Sequence, residues 1–356
     1  MKYDHLFTPK KIGNIAVKNR IVFPPIVCFG WAGFDGLVTK QHVVHYKKRV
    51  DGGVGMVVVE ATCVVPDARL SMDQLGIWHD DQIEGLKEIA DVCRTGDALP
   101  LIQIHHAGWK TVAESSAIAV GPSKDPRNEN SREMTLEEIL EVERAFIDAA
   151  FRAKQAGFAG VELHGAHGYL LSQFASPYAN KRTDHFGGSL ENRLRMHTDI
   201  GKGIRETCGS DFILSARIGC NEPDLEGGTA AARHLETNGF DLLHVSASSH
   251  SEGKPFVPAG FPNNWIVYGG GIIHRSVQIP VIVVNEIRTP DQADWLIKED
   301  WADFTAVARG LLADPDWVNH AHMDIPIVKC LQCKRGCKWF NKVDTCPIKV
   351  KEAEHS

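Results

Sequence analysis

The stretch 160–193, GVELHGAHGYLLSQFASPYANKRTDHFGGSLENR, is the most informative part of this chain. It begins with an apolar run typical of a buried strand, and His164, His167 and Tyr169 follow directly after that run. A polar loop then leads to Ser189, a residue type that favours the N-cap of a helix, here one that begins at Leu190. The stretch therefore predicts one strand–loop–helix unit whose strand end carries three proton-handling side chains.

The composition indicates an ordinary globular protein. The chain has 356 residues, of which 43% are hydrophobic and 24% charged, with a formal net charge of −6. No apolar run approaches the roughly 18 residues that cross a bilayer, and the N-terminus lacks the apolar core of a signal peptide. No basic stripe is present either. We therefore expect a cytoplasmic protein that binds neither membrane nor nucleic acid.

Strand-like apolar runs and helix-like stretches alternate along the chain. The continuous apolar character of the runs is typical of parallel strands buried on both faces. Helical patterns lie at 81–95, 136–156, 190–207 and 229–238, and the eight predicted strands are 21–23, 55–60, 100–105, 160–164, 212–219, 241–246, 280–285 and 304–309.

Eight strands with interleaved helices predict an α/β fold of the (β/α)8 TIM-barrel type. We place the barrel in residues 1–325 and a short cysteine-containing C-terminal extension in residues 326–356. A doubly wound sheet is the alternative, but no G-x-G-x-x-G follows any of the strands.

In such a barrel the site forms at the C-terminal ends of the strands. Two arginines, Arg217 and Arg309, fall there and suit an anionic cofactor. Gln103 falls there too, and its side-chain amide can both donate and accept hydrogen bonds. No carboxylate cluster falls at this end, which argues against a hard-metal site and against a two-acid glycosidase.

The sequence resembles the old yellow enzyme family of FMN-dependent ene-reductases. It is similar in particular to the NADH:flavin oxidoreductase branch, which includes the barrel domains of 2,4-dienoyl-CoA reductase and trimethylamine dehydrogenase. The resemblance covers about residues 5–320, and its most specific part is the run from His164 to Arg193. Further matches are LFTP (6–9), KNRIV (18–22), Gln103 with HAG (106–108) and ARGLLADP (308–315).

The resemblance implies the roles of individual residues. His164 and His167 would bind the substrate oxygen, and Tyr169 would be the proton donor. The implied FMN contacts are Pro24, Pro25, Ala61, Gln103, Arg217, Asn285, Ala308 and Arg309. Two departures stand out: Val27 occupies a position where some members carry a flavin-tuning cysteine, with Cys28 out of register, and Glu286 lies near the expected phosphate loop.

Four clustered cysteines, Cys330, Cys333, Cys337 and Cys346, form the pattern C-x2-C-x3-C-x8-C. Clustered thiols in a cytosolic chain indicate a metal or a cluster rather than disulfides. The related branch binds a [4Fe–4S] cluster in this region, with a longer final gap. We expect a [4Fe–4S] cluster, and zinc or plain reduced cysteines remain as alternatives.

These observations predict an FMN-dependent NAD(P)H:acceptor oxidoreductase. Its expected reaction is reduction of the activated C=C bond of an enone or enoyl substrate, with hydride from flavin N5 and a proton from Tyr169. NADH, NADPH or a separate electron-donor protein would supply the electrons. The alternatives are a flavin-bearing electron-transfer subunit, an amine-type dehydrogenase and, on the strength of His164-x-x-His167, a zinc-dependent barrel hydrolase.

Overall fold

The computed structural model describes residues 2–333, 336–341 and 345–348. In these residues the strands are β1 (Lys10–Ile12), β2 (Ile15–Val17), β3 (Ile21–Phe23), β4 (Met56–Cys63), β5 (Leu99–His105), β6 (Ala119–Gly121), β7 (Ser131–Glu133), β8 (Gly160–Gly165), β9 (Ile213–Gly219), β10 (Leu242–Ser246), β11 (Val281–Val284) and β12 (Phe304–Ala306).

The helices lie between these strands and after the last of them. They are α1 (Lys40–Asp51), α2 (Ile83–Thr95), α3 (Leu136–Gln155), α4 (Leu170–Ala175), α5 (Leu190–Cys208), α6 (Leu225–Thr237), α7 (Trp265–His274), α8 (Pro290–Lys298), α9 (Arg309–Ala313), α10 (Trp317–His322) and α11 (Lys338–Asn341). None of these helices is both long and apolar enough to cross a membrane.

Eight parallel strands close into a barrel in the order β3–β4–β5–β8–β9–β10–β11–β12, and β12 pairs back to β3. The predicted (β/α)8 fold is confirmed, and all eight predicted strands are present with end shifts of a few residues. Ser189 caps α5 as predicted, since its side chain accepts a hydrogen bond from the backbone N–H of Asn192.

The interior of the barrel has two unlike halves. The half near the N-terminal strand ends is apolar, and the hairpin β1–β2 plugs it with Ile12 and Val17. The sequence did not predict this hairpin. The half near the C-terminal strand ends is lined by polar side chains, because alternate residues of each strand point inward. That polar half positions the site.

The C-terminal segment contacts the barrel through Trp339, which is buried and stacks on His45 of α1 with 5.3 Å between ring centroids. The boundary between residues 325 and 326 stays a prediction. Parts of the proposed extension 326–356, including residues 349–356, lie outside the described residues.

Candidate active site

Three aromatic rings predicted as catalytic lie together just beyond β8. The ring centroids of His164 and His167 are 5.1 Å apart, and those of His164 and Tyr169 are 4.7 Å apart. The turn between them is tight, since His167 and Gly168 both adopt positive φ, at 60° and 71°. Positive φ is costly for a residue with a side chain and is often found at functional sites. This turn brings His167 and Tyr169 back over His164.

The rings in this group are neutral at physiological pH. Burial lowers the pKa of both His164 and His167 well below the ordinary histidine value, with neighbouring imidazoles and Arg217 adding to the effect. Burial raises the pKa of the Tyr169 phenol, so it stays protonated. Each neutral imidazole has one N–H to donate, and the phenol has one O–H.

Two residues from other strands complete this group. Ser246, at the end of β10, places its Oγ 2.8 Å from Nε2 of His167. His105, at the end of β5, packs edge-on against Tyr169 with 4.5 Å between ring centroids. His105 is fully buried, and neither of its ring nitrogens has a hydrogen-bond partner in the described part of the chain. The neighbouring His106 instead accepts a hydrogen bond from the N–H of Gly108 at 3.0 Å, a structural role.

Below the rings, a hydrogen-bonded chain crosses the barrel from β5 to β10. The Gln103 amide nitrogen donates to Oε1 of Glu162 at 2.7 Å, and Nδ1 of His244 lies 2.9 Å from Oε2 of the same carboxylate. Glu162 and His244 have no exposed surface, and Gln103 has 1%. Gln103 therefore lies inside the barrel, held by two residues that the sequence analysis missed, and its contact with FMN stays a prediction.

Arg217 lies beside this chain. It is adjacent to His164 on the neighbouring strand and to His244 on the other side. Its guanidinium is almost fully buried, and its Nε has no hydrogen-bond partner among the described residues. Burial lowers the pKa of Arg217, while the nearby Glu162 opposes that effect. A buried cation with an unused N–H fits an anionic or carbonyl-rich ligand edge.

The residues predicted for the phosphate end come from β11 and β12. Asn285 and Glu286 have φ values of 110° and 57°, so the chain makes a strained turn directly after β11. Ala308 precedes α9, a helix of only five residues. A phosphate at this place would therefore depend on the Arg309 side chain, which points to this turn and pairs with Glu286.

The remaining predicted contacts lie at the ends of β3 and β4. Pro24 and Pro25 follow β3 directly, and Ala61 sits where the pairing of β4 with β5 shifts register between Val59 and Thr62. Such an irregularity re-aims a strand at its end. Just before it, the buried Glu60 accepts a hydrogen bond from the backbone N–H of Cys28 at 2.7 Å. Burial raises the pKa of Glu60 to about 7.

The four clustered cysteines line one small cavity together with Arg309 and Trp339. All four thiols are partly exposed and unbridged. Among the described residues, however, no group of three or more cysteine, histidine or carboxylate side chains converges as metal ligands. The four described thiols do not converge on one point, and the predicted [4Fe–4S] site is not confirmed. The same observation leaves the zinc-hydrolase alternative without support.

Comparison with known proteins shows the family of this chain. Residues 5–327 match the model of the NADH:flavin oxidoreductase / NADH oxidase family. The chain belongs to this family. The predicted relationship to the old yellow enzymes is thereby confirmed, and the matching family is one of flavin oxidoreductase enzymes.

Three similar proteins show how much of each chain is alike. The chain is 40% identical to an NADH oxidase of Thermoanaerobacter brockii over 94% of its own length and 54% of that protein. It is 36% identical to an NADPH dehydrogenase of Geobacillus sp. (strain WCH70), over 94% of the chain and 99% of the relative. A solved 2-naphthoyl-CoA reductase complexed with 2-naphthoyl-CoA aligns with a TM-score of 0.87 and 29% identity, covering 97% of this chain and 56% of that one. The chain thus spans about half of the NADH oxidase and of the CoA-ester reductase.

The polar half of this flavoprotein barrel fits FMN on the evidence of its own residues. Gln103 on β5 supplies an amide, and Arg217 on β9 supplies a buried cation. Arg309, after β12, supplies a partly exposed cation. One further residue was missed from sequence: Lys110, whose Nζ lies 5.0 Å above the Tyr169 ring and donates to the His167 carbonyl at 2.6 Å. Its only sequence signal was its position just after His106-Ala107-Gly108.

Proposed function

We propose that this protein is an NAD(P)H-dependent ene-reductase that binds FMN in the polar half of its barrel and reduces the activated C=C bond of an enone or enoyl compound. The proposal rests on the grouping of His164, His167 and Tyr169, whose ring centroids lie between 4.7 and 6.3 Å apart. Family membership supports the flavin and the nicotinamide donor. The identity of the substrate as an enone or enoyl compound is part of our proposal and does not come from family membership.

FMN would be held by Gln103 and Arg217 at one end and by Arg309 at the other, with Pro24, Pro25, Ala61, Asn285 and Ala308 along its length. When bound, it stores and delivers the two electrons of the reduction. Arg217 would favour the reduced cofactor, because a buried cation stabilises negative charge that develops nearby.

His164 and His167 would bind the carbonyl oxygen of the substrate. Both rings are neutral, so each can donate one N–H without bringing a charge into the site. Two donors aimed at one oxygen stabilise the negative charge that it gains during the reaction. Ser246, 2.8 Å from Nε2 of His167, would fix the orientation of that ring.

Tyr169 would then protonate the α-carbon as a general acid. Its phenol is protonated over the whole physiological range because burial raises its pKa. Its ring centroid lies 4.7 Å from that of His164 and 6.3 Å from that of His167, so the phenol stands beside both imidazoles.

An anaerobic two-step experiment tests the proposal. Purified protein should show flavin absorption that NADH or NADPH bleaches and that an activated alkene such as cyclohexenone then restores, with the saturated ketone as product. Bleaching without recovery by any activated alkene would favour a flavin-bearing electron-transfer subunit. Bleaching by amines would favour an amine-type dehydrogenase.

The clustered cysteines carry a separate proposal. We infer from their spacing and their shared cavity that Cys330, Cys333, Cys337 and Cys346 could close around a [4Fe–4S] cluster only after they rearrange. No step of the mechanism above uses this cluster.

A further inference from the structure

The Glu162 carboxylate is an unusual group to find in the interior of a barrel. It has no exposed surface, and both of its oxygens are used: Oε1 accepts from Gln103 Nε2 at 2.7 Å and Oε2 lies 2.9 Å from His244 Nδ1. Burying a carboxylate is costly unless it is paired and hydrogen-bonded. A side chain kept at this cost, at the centre of the polar half, calls for a role.

We propose that Glu162 is a positioning residue for the flavin: it fixes which way the Gln103 amide faces, and its charge balances that of Arg217. The inference rests on the proposed FMN site, because it concerns how that site is tuned.

The direction of the amide follows from the chemistry of the partner. A carboxylate only accepts hydrogen bonds, so the group of Gln103 that faces Glu162 at 2.7 Å is the NH2 group. The amide oxygen therefore points away from Glu162, and in the described part of the chain no hydrogen bond uses it. Gln103 is left with one acceptor and one remaining N–H for a ligand. That pair matches the pyrimidine edge of a flavin, where an N–H lies between two carbonyl groups.

The charge of Glu162 follows from its other neighbours. Burial lowers the pKa of His244, so this ring is neutral and can donate its Nδ1–H to the carboxylate. Arg217, next to His244 across the strand pair, is the cation of this group. Glu162 is thus the carboxylate whose charge opposes that of Arg217.

Removing the negative charge should leave Arg217 uncompensated. A flavin gains negative charge on reduction, so an uncompensated cation stabilises the reduced form more than the oxidised form. Glu162 would in this way hold the reduction potential of the bound FMN down. A purely structural carboxylate would affect folding stability without moving that potential.

Glu162→Gln is the direct test, since it keeps the shape and the capacity for hydrogen bonding but removes the charge. The matched control is Glu143→Gln on α3, another buried glutamate, which lies outside the barrel and faces Asp199. For each protein we would measure the Kd for FMN by quenching of flavin fluorescence and the potential of the bound FMN against reference dyes under anaerobic conditions.

We expect a more positive potential in Glu162→Gln and the wild-type potential in Glu143→Gln. An unchanged potential in folded Glu162→Gln that binds FMN overturns the inference. If the wild-type protein itself binds no FMN, the proposed function fails instead, so the two failures are distinguishable.

Glu162→Asp covers the case in which Glu162→Gln does not fold. It keeps the charge and withdraws the carboxylate from Gln103 by one methylene, so the potential should stay close to wild type while the Kd for FMN rises at least about tenfold, as for a lost hydrogen bond to a charged group. Wild-type affinity in Glu162→Asp would show that the carboxylate does not position the amide.

Discussion

Arg309 and Glu286 form an ion pair between the ends of the neighbouring strands β12 and β11, with 3.4 Å between Nη2 and Oε1. Glu286 also pairs with Arg288 at 2.8 Å, so one carboxylate is shared by two guanidinium groups. Both partners of the pair with Arg309 are about one-third or more exposed, and such pairs contribute roughly 0–1 kcal/mol. Arg309 is therefore available to a stronger anion, and a phosphate would compete with Glu286 for it.

Replacing Arg309 by alanine should weaken FMN binding. A hydrogen bond between charged groups contributes about 1.5–3 kcal/mol, which corresponds to roughly a 10- to 150-fold higher Kd. Fluorescence titration measures this directly. Riboflavin, which lacks the phosphate, is the control ligand: its Kd should be the same in Arg309→Ala and wild type. An equal loss for both ligands would remove Arg309 from the phosphate site.

The Glu286→Gln variant should act in the opposite direction. Without the carboxylate, Arg309 no longer has a competing partner, so FMN should bind more tightly, by at most about fivefold given the small value of exposed pairs. The gain should shrink as salt is raised, because salt screens exposed charges. Weaker FMN binding in this variant would show that Glu286 supports the turn rather than competing with phosphate.

Tyr169→Phe tests the proton donor. Loss of a general acid typically slows a reaction about 10²–10⁴-fold. The variant should reduce cyclohexenone more slowly by such a factor, while NADH or NADPH bleaches its flavin at close to the wild-type rate. Stopped-flow absorbance separates the two half-reactions. Wild-type alkene reduction by the variant would exclude Tyr169 as the acid.

Glu143 should make the free energy of unfolding depend on pH. Burial, aided by the nearby Asp199, raises the pKa of Glu143 to about 8 from 4.5. Between these two values the folded state holds a proton that the unfolded state has lost, so the free energy of unfolding falls as pH rises from 4.5 to 8. Each unit of pKa difference corresponds to about 1.4 kcal/mol. Glu143→Gln should unfold in urea much like wild type at pH 5 and be the more stable protein at pH 9. If the difference in urea midpoint between Glu143→Gln and wild type is the same at pH 5 and at pH 9, this assignment is wrong.

Elemental analysis tests the cysteine segment. A [4Fe–4S] cluster requires about four iron and four sulfide per chain in anaerobically purified protein. Stoichiometric zinc without iron would support the alternative metal, and neither metal would leave the four thiols as reduced cysteines. Cys333→Ser is the matched variant, and it should lose whichever metal the wild-type protein holds.

The fold was largely predictable because its strongest signal is local. Strands buried on both faces produce continuous apolar runs, and β8 to β12 could be placed from such runs alone. The hairpin β1–β2 was missed because only one residue in each of its short strands is buried, so neither strand forms a continuous buried apolar run. Its role, plugging the barrel with Ile12 and Val17, depends on contacts with strands far along the chain.

The site was predictable in its residues but not in its connections. His164, His167 and Tyr169 stand close in sequence, so their grouping could be foreseen. Glu162 sits in an apolar run and looks like a tolerated strand residue, and only closure of the barrel brings it against Gln103, 59 residues earlier, and His244, 82 residues later. The positive φ of His167 turns its ring over His164. No sequence pattern indicates that a residue other than glycine will adopt such a φ, so this turn could not be foreseen.

The pairing of β12 with β3, through Thr305 with Ile21 and Ala306 with Val22, has a consequence for synthesis of the protein. The first and last strands of the barrel wall, β3 and β12, are neighbours in space, although about 280 residues separate them. A ribosome must therefore release nearly the whole barrel before its wall can close, and such long-range pairing is slow. Until then the apolar edges of β3 and β11 have no partner strand. FMN, which we propose to bind inside the closed barrel, can therefore stabilise the protein only once β12 has been made and has paired with β3.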